Sequence, residues 1–334
     1  MEINLTTYPH EEALCEAVPL SPDSFLEMPP EPSPGKENKG RVNWFDFSGT
    51  LDPAVARRLT ESWKLHSLAV GAAAATTRSS RLQEYADHLL LGLDALASFR
   101  DAVPDFRRIW VLTGPGFFMT FHESEEPLID VVRQRVNGRI PPHTGPGYLL
   151  YELADALLEG YYDAVESLSE QIDLLDDRIT ERAWKSRKNP EGNDLSAVKR
   201  RLLALHRALS PLRDSLQSFR HTDEGVIQEA DRAYLRHAAD QAQSIVDNIS
   251  VAREILVGIN DALVSAAGKR MNEVMTFLTV FTTFFIPINF IASLYGMNLI
   301  IPEFGWKAAY PVVIGLMLSI VLAMYVWFRR KGWL

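Results

Sequence analysis

The sequence predicts an α+β membrane protein: a cytoplasmic α/β domain, long helices after it, and a two-helix transmembrane hairpin at the C-terminal end. Three observations carry this. Between Glu273 and Glu303 no Asp, Glu, Lys, Arg or His occurs, a run longer than the ~20 residues a helix needs to cross a bilayer. A second uncharged run, Ala308 to Phe328, follows a link whose only charges are Glu303 and Lys307. Ahead of both, strand-like and helix-like segments mix over 41–145 and give way to long amphipathic patterns over 146–272.

These shifts set the expected boundaries. Residues 1–40 read as a disordered tail, acidic and Pro-rich (Met28-Pro-Pro-Glu-Pro-Ser-Pro-Gly35). The α/β domain takes 41–145, and a helical hairpin with a stalk takes 146–272. The membrane hairpin takes 273–334, with spans at about 274–295 and 308–328, an outer loop at 296–307 and a basic tail. Lys269 and Arg270 precede the first span and Arg329, Arg330 and Lys331 follow the second, against Lys307 in the link. The positive-inside bias therefore predicts a multi-pass protein of the cell (inner) membrane with both termini cytoplasmic.

Composition removes several function classes. A net charge of −9 argues against a nucleic-acid partner, which needs clustered Lys and Arg. The single Cys15 excludes an internal disulfide and any multi-cysteine metal site. Met1 to Leu20 has neither the basic nor the apolar region of a signal peptide. With no phosphate loop, nucleophile elbow or paired catalytic constellation, neither an enzyme nor a tightly bound cofactor is expected.

Within the α/β domain, Val42 to Phe47 reads as a strand. Asp52-Pro53 is an N-cap followed by Pro at the first helical position, opening a helix to about Leu65. Tyr85 to Leu96 is ambiguous between strand and helix. Arg108–Thr113 and Phe117–His122 read as a hairpin across Gly114-Pro115-Gly116. His122 beside Glu123 reads as a strand-end pair rather than a ligand set. Tyr148 to Lys188 and Leu195 to Phe219 form an expected helical hairpin across Asn189-Pro190-Glu-Gly-Asn193, its acids (Asp173, Asp176, Asp177) a solvated face. A third helix starts near Ile227 and meets no breaker until Pro287. At 1.5 Å per residue such a helix extends ~90 Å, too long to pack within a small monomer, so it needs copies of itself alongside.

That helix carries a stripe. Every seventh residue from Asp240 reads Asp240, Asp247, Glu254, Asp261, Gly268, Met275, Thr282, Asn289, Gly296. The companion line reads His237, Ser244, Val251, Gly258, Ser265, Asn272, Thr279, Ile286, Ser293. Together they hold one face at the 3.5-residue spacing of bundled helices. Ile245, Ile249, Leu256, Ile259 and Leu263 lie on another. A charged stripe on a soluble helix is commonly its wet side, and polar residues in membrane helices can serve as hydrogen-bonding glue. The acidic line, however, runs without a skip into the Thr282 and Asn289 line, and polar groups at membrane depth face a bundle interior or a water-filled cavity. One aqueous path lined by symmetry-related copies accounts for both. Its chemistry suits a hydrated divalent cation. Asn and Thr accept hydrogen bonds from the ion's waters, carboxylates attract it, and an uncharged narrow part avoids a trap. Met275, Leu278 and Ile286 would close the path by dewetting. No thiolate or paired-histidine zinc cage is present.

Tyr295-Gly-Met-Asn298, at the outer end of the first span, resembles the signature of the CorA family of magnesium channels. The resemblance extends to Lys269-Arg-Met-Asn-Glu-Val-Met275, Phe285-Ile-Pro-Ile-Asn-Phe-Ile-Ala292, Pro302-Glu303, Trp306-Lys307, Tyr310-Pro311 and Arg329-Arg-Lys-Gly-Trp-Leu334. It is specific over Tyr234 to Leu334 and weaker from Trp44 through Tyr151. It implies a homopentamer whose cytoplasmic domains and long helices form a funnel and whose first transmembrane helices line the pore. Gly296, Met297 and Asn298 would form the selectivity filter, with Asn298 meeting the hydrated ion. Asn272, Met275, Leu278, Ile286 and Asn289 would line the pore, with Asp261 at its cytoplasmic end; the stripe adds Thr279, Thr282 and Ser293 to the lining and Asp240, Asp247 and Glu254 as carboxylates that attract metal. Glu303 would sit in the outer loop, and Arg329, Arg330 and Lys331 would make a basic collar. The transported ion is expected to be Mg2+, with Co2+ or Ni2+ as further substrates. The ZntB branch offers the alternative of Zn2+ or broad transition-metal transport, and a non-conducting membrane scaffold is the alternative of another class. The resemblance breaks at Ala72 and His237, which stand where members regulated by intracellular magnesium carry carboxylates.

Overall fold

The computed structural model describes residues 1–8, 17–28, 42–75, 82–100, 103–137, 141, 144–182, 191–219, 227–297 and 305–332. The chain divides into two compact units, Met1–Val257 and Gly258–Leu334.

The first unit is built on a seven-stranded sheet. In chain order its strands are β1 (Glu2–Tyr8), β2 (Val18–Leu20), β3 (Val42–Ser48), β4 (Gln83–Glu84), β5 (Leu89–Arg100), β6 (Val103–Gly114) and β7 (Phe117–His122), arranged β2-β1-β3-β7-β6-β5-β4. Only β3 and β7 run parallel. Helices α1 (Pro22–Glu27), α2 (Pro53–Glu61) and α3 (Ser67–Ala74) cover one face, where Phe25, Val55, Leu59 and Val70 meet Phe45, Phe47, Trp110, Leu112 and Met119. Alternation sends Trp44 and Phe118 to the other face. There α4 (Pro127–Val136) brings the Arg133 guanidinium to 5.3 Å from the Trp44 ring. The helix α5 (Pro146–Arg182) packs beside α4 and against β5, β6 and β7, and α6 (Glu191–Ser218) returns beside α5.

Several expectations are corrected here. The tail reading for 1–40 is wrong for its described parts. β1 pairs with β3 from Glu2↔Ser48 to Tyr8↔Val42, and Ile3, Tyr8 and Phe25 are buried. Few apolar residues suffice because the sheet supplies the rest of the core. The ambiguous segment becomes strand from Leu89, buried from Leu89 to Leu93, a continuous apolar run that a central strand and a core helix share. The helix α2 stops at Glu61 rather than Leu65, and the chain turns out through Lys64 at φ 54°. Its start is as read, with Asp52 accepting from the Ala54 N–H at 2.7 Å. The β6–β7 hairpin turns at Pro115-Gly116 (Gly116 φ 85°). Gly114 is required by close approach, because a Cβ there would stand 2.7 Å from the Asp87 carbonyl and the Phe117 ring. The expected helix link at 189–193 is partly helical, since α6 already runs from Glu191; Asn189 and Pro190 lie outside the described residues.

The helix α7 (Glu229–Tyr295) spans 67 residues and continues through Pro287. Proline removes one N–H and leaves the Thr283 carbonyl without its helical donor, a group that a membrane helix must satisfy through neighbouring helices, hydroxyl side chains or water. In the second unit α8 (Ala309–Lys331) follows, ended by Gly332 in the left-handed region at φ 72°.

Candidate ion path on the long helix

In the first unit α7 has two unlike faces. Ile245, Ile249 and Leu256 are buried, whereas Asp240, Asp247 and Glu254 are exposed, as are His237, Ser244 and Val251 on the companion line. Asp247 accepts a hydrogen bond from Gln243 at 2.8 Å. Carboxylates seven residues apart on one helix stand ~10 Å apart. Among the described residues no three His, Cys, Asp or Glu side chains approach closely enough to hold a metal ion.

In the second unit Asp261, Asn272, Met275, Leu278, Thr279, Thr282, Ile286, Asn289 and Ser293 are all exposed. Exposure alone does not pick them out, because Phe277, Phe281 and Phe285 are exposed as well. The position of α8 separates Thr282 and Asn289 from one side of the helix. Val280 is buried, and the Phe284 ring meets buried Phe328 with centroids 5.6 Å apart. At 100° per residue Val280 and Phe284 lie about half a turn around α7 from Thr282 and Asn289. The second apolar helix therefore packs on the Val280 and Phe284 side of α7 and leaves Thr282 and Asn289 open.

Thr279 and Thr282 on the stripe, and Thr283 beside it, have a fixed polarity. Thr279 donates to the Met275 carbonyl at 2.7 Å, Thr283 to the Thr279 carbonyl at 2.6 Å, and Thr282 to the Leu278 carbonyl. Each hydroxyl proton is committed to backbone, so each oxygen faces outward as an acceptor. At the end of α7 the Gly296 N–H donates to the Ala292 carbonyl at 2.9 Å, and a Cβ on Gly296 would come within 3.0 Å of that oxygen. Met297 is exposed; Asn298 and Glu303 lie outside the described residues. Arg329, Arg330 and Lys331 form the exposed last turn of α8, with the Lys331 ammonium 5.8 Å from the Trp327 ring.

Ala72 is half-buried against the sheet core, and His237 is exposed, its ring 6.4 Å from Tyr151. The histidine read as a strand-end pair with Glu123 has Asp46 as a partner: His122 Nε2 lies 2.9 Å from Asp46, which also accepts from Thr120 at 2.6 Å. Burial opposes the charged imidazole, yet the bond to Asp46, its charge and the Ser124 carbonyl outweigh that and hold the pKa above its ordinary value. The β3–β7 pairing that creates this network joins residues far apart in the chain, though a lone Asp inside Trp44-Phe-Asp-Phe47 was a visible signal.

A second buried carboxylate was missed altogether. Asp231, in the first turn of α7, accepts from the Gly145 N–H at 2.9 Å, just ahead of α5. Burial pushes its pKa up to about 6, against the pull of the Gly145, Gln228 and Gly147 N–H groups. Gly147 is obligatory, because a Cβ there would stand 2.7 Å from the Asp231 side chain.

Comparison with known proteins places this architecture. The chain is 28% identical over 295 residues to the cobalt/magnesium transport protein CorA of Thermotoga maritima, covering 87% of this chain and 83% of that one. It is 24% identical over 262 residues to the zinc transport protein ZntB of Yersinia pseudotuberculosis, covering 76% of each. The structure of the complete CorA magnesium transporter from Methanocaldococcus jannaschii superposes with a TM-score of 0.76 at 19% identity, covering 100% of this chain and 99% of that one, which shows a shared fold. The profile of the CorA-like Mg2+ transporter protein family matches residues 39–330, and with that the chain belongs to the CorA family.

Proposed function

We propose that the protein is a divalent cation channel of the inner membrane, assembled as a homopentamer around the polar stripe of α7 and taking up Mg2+, with Co2+ or Ni2+ as further substrates. The observation that carries this reading is the division of α7 in the second unit: α8 packs on the Val280 and Phe284 side, and the open face presents the oxygens of Thr279 and Thr282 as acceptors, their protons held by backbone carbonyls. A hydrated Mg2+ offers the complement, a shell of water protons directed outward that it gives up reluctantly. Thr279, Thr282 and Asn289 would bind that shell without stripping it, and Asn298 with Gly296 and Met297 would select it at the outer mouth. Asp240, Asp247, Glu254 and Asp261 would concentrate cations on the cytoplasmic side, and Glu303 on the outer side. Moving two charges through 100 mV releases ~4.6 kcal/mol, so no coupled ion is required.

The test is flux in proteoliposomes. Mg2+ entry without a proton gradient is expected, and Asn298→Ala should abolish it while the oligomer stays intact by size-exclusion chromatography. Undiminished transport by that variant would overturn the outer-site assignment. The exposed imidazole of His237, with the likeness to ZntB, favours Zn2+ as the second reading; strict proton dependence with Zn2+ entry would select it. No flux of any divalent ion would leave a membrane scaffold.

A further inference from the structure

The hairpin unit contains a groove that the ion path does not use. It has a volume of about 670 Å3 and is lined by Phe281, Phe284, Phe285 and Ile288 of α7 and Leu318, Val321, Leu322 and Tyr325 of α8, with almost no polar surface. On α8 the residues Leu318, Leu322, Tyr325 and Arg329 follow one another at steps of four, three and four, so they share one helix face. Helical side chains lean toward the N-terminus, so Arg329 extends over the turn that carries Tyr325, at the inner end of the groove. From Leu318 to Arg329 the axial distance is ~16 Å, which is one leaflet of a ~30 Å hydrocarbon core. Among the described residues none of Arg329, Arg330 and Lys331 forms an ion pair, and Trp327, exposed beside them, marks headgroup depth.

We propose that this groove is a binding site for an anionic phospholipid of the inner leaflet. One acyl chain lies along Leu318, Leu322 and Tyr325, and the phosphate pairs with Arg329. Charge complementarity decides the occupant, because an apolar slot of leaflet length that ends beside an exposed guanidinium fits a chain with a negative head. Arg330 lies about 100° around the helix, off the groove line, and serves as an internal control. The inference rests on the membrane placement of the hairpin and is independent of the transported ion.

The experiment titrates the full-length protein in mild detergent with dioleoyl phosphatidylglycerol or dioleoyl phosphatidylcholine and counts bound lipid by native mass spectrometry. Phosphatidylglycerol should bind in preference. Arg329→Gln should weaken it about fivefold, the loss expected for one basic residue at an anionic surface, and weaken phosphatidylcholine less, because choline offsets the charge of its phosphate. Leu322→Trp should fill the groove and weaken both lipids, with Leu318→Trp as a second filling variant and circular dichroism confirming the fold of each. Equal binding of the two lipids, or equal losses from Arg329→Gln and Arg330→Gln, would overturn the site. So would disulfide formation between subunits through Leu322→Cys, which would assign the groove to a second copy.

Discussion

The two units of the chain bury their side chains by opposite rules. In the first, the largest aromatics are inside: Phe25, Trp44, Phe45, Phe47 and Phe118 are almost completely sequestered. In the second, large apolar residues are outside. Phe277, Phe281, Phe285 and Phe290 on α7 and Leu318 and Leu322 on α8 are exposed, while Val280 and Phe328 are buried. Only 6% of the most apolar window of each of these helices is buried within the chain. The first unit thus closes its own core, whereas the second presents an apolar exterior of the kind that lipid covers. The polar line through Thr282 and Asn289 stands out against that exterior.

This contrast can be broken most directly in the core. Phe45→Ala removes a ring packed 5.7 Å from Phe25 and 5.4 Å from Trp63, and should destabilise the first unit by ~4 kcal/mol in denaturant titration. A loss below ~1 kcal/mol would mean that this core is not closed in solution.

The next effect is electrostatic. Asp231 has its carboxyl raised to about 6 from 3.8, so the folded state favours the protonated form. Stability from this group is complete below the unfolded value and is lost as pH rises through about 6, a difference of ~2–3 kcal/mol at neutral pH. Asp231→Asn should therefore gain on the wild type by about that amount between pH 4 and pH 7, read from unfolding midpoints. A pH-independent difference would show that the carboxyl is not held up by burial.

In the second unit the expected losses concern flux rather than folding. Asn289→Ala should lower Mg2+ entry about tenfold, the equivalent of a hydrogen bond or two lost to the ion's water shell, with unchanged helix content. Unchanged flux would remove Asn289 from the path. The smallest effect belongs to Phe285→Ala, which should shift the denaturant midpoint of the first unit by less than ~0.5 kcal/mol, because its ring lies in the other unit. A larger shift would show that the two units do not unfold independently.

The sequence by itself determined the membrane hairpin, the long helix and the candidate stripe, because charge depletion and seven-residue spacing are local and additive along one helix. The caps and the β6–β7 hairpin were legible for the same reason: Asp52-Pro53 and Gly114-Pro115-Gly116 act through neighbours in the chain. Tertiary structure alone decided the place of β1, since Glu2–Tyr8 becomes a strand only when β3 offers it an edge. It also decided that Asp46 meets His122, and that Asp231 fastens the segment entering α5. Each of these joins residues far apart in the chain, where no periodicity connects them. The side of α7 that α8 covers belongs to the same class. Residue spacing showed that α7 has a polar line, but only the packing of Phe284 against Phe328 showed that the second helix sits on the side away from Thr282 and Asn289.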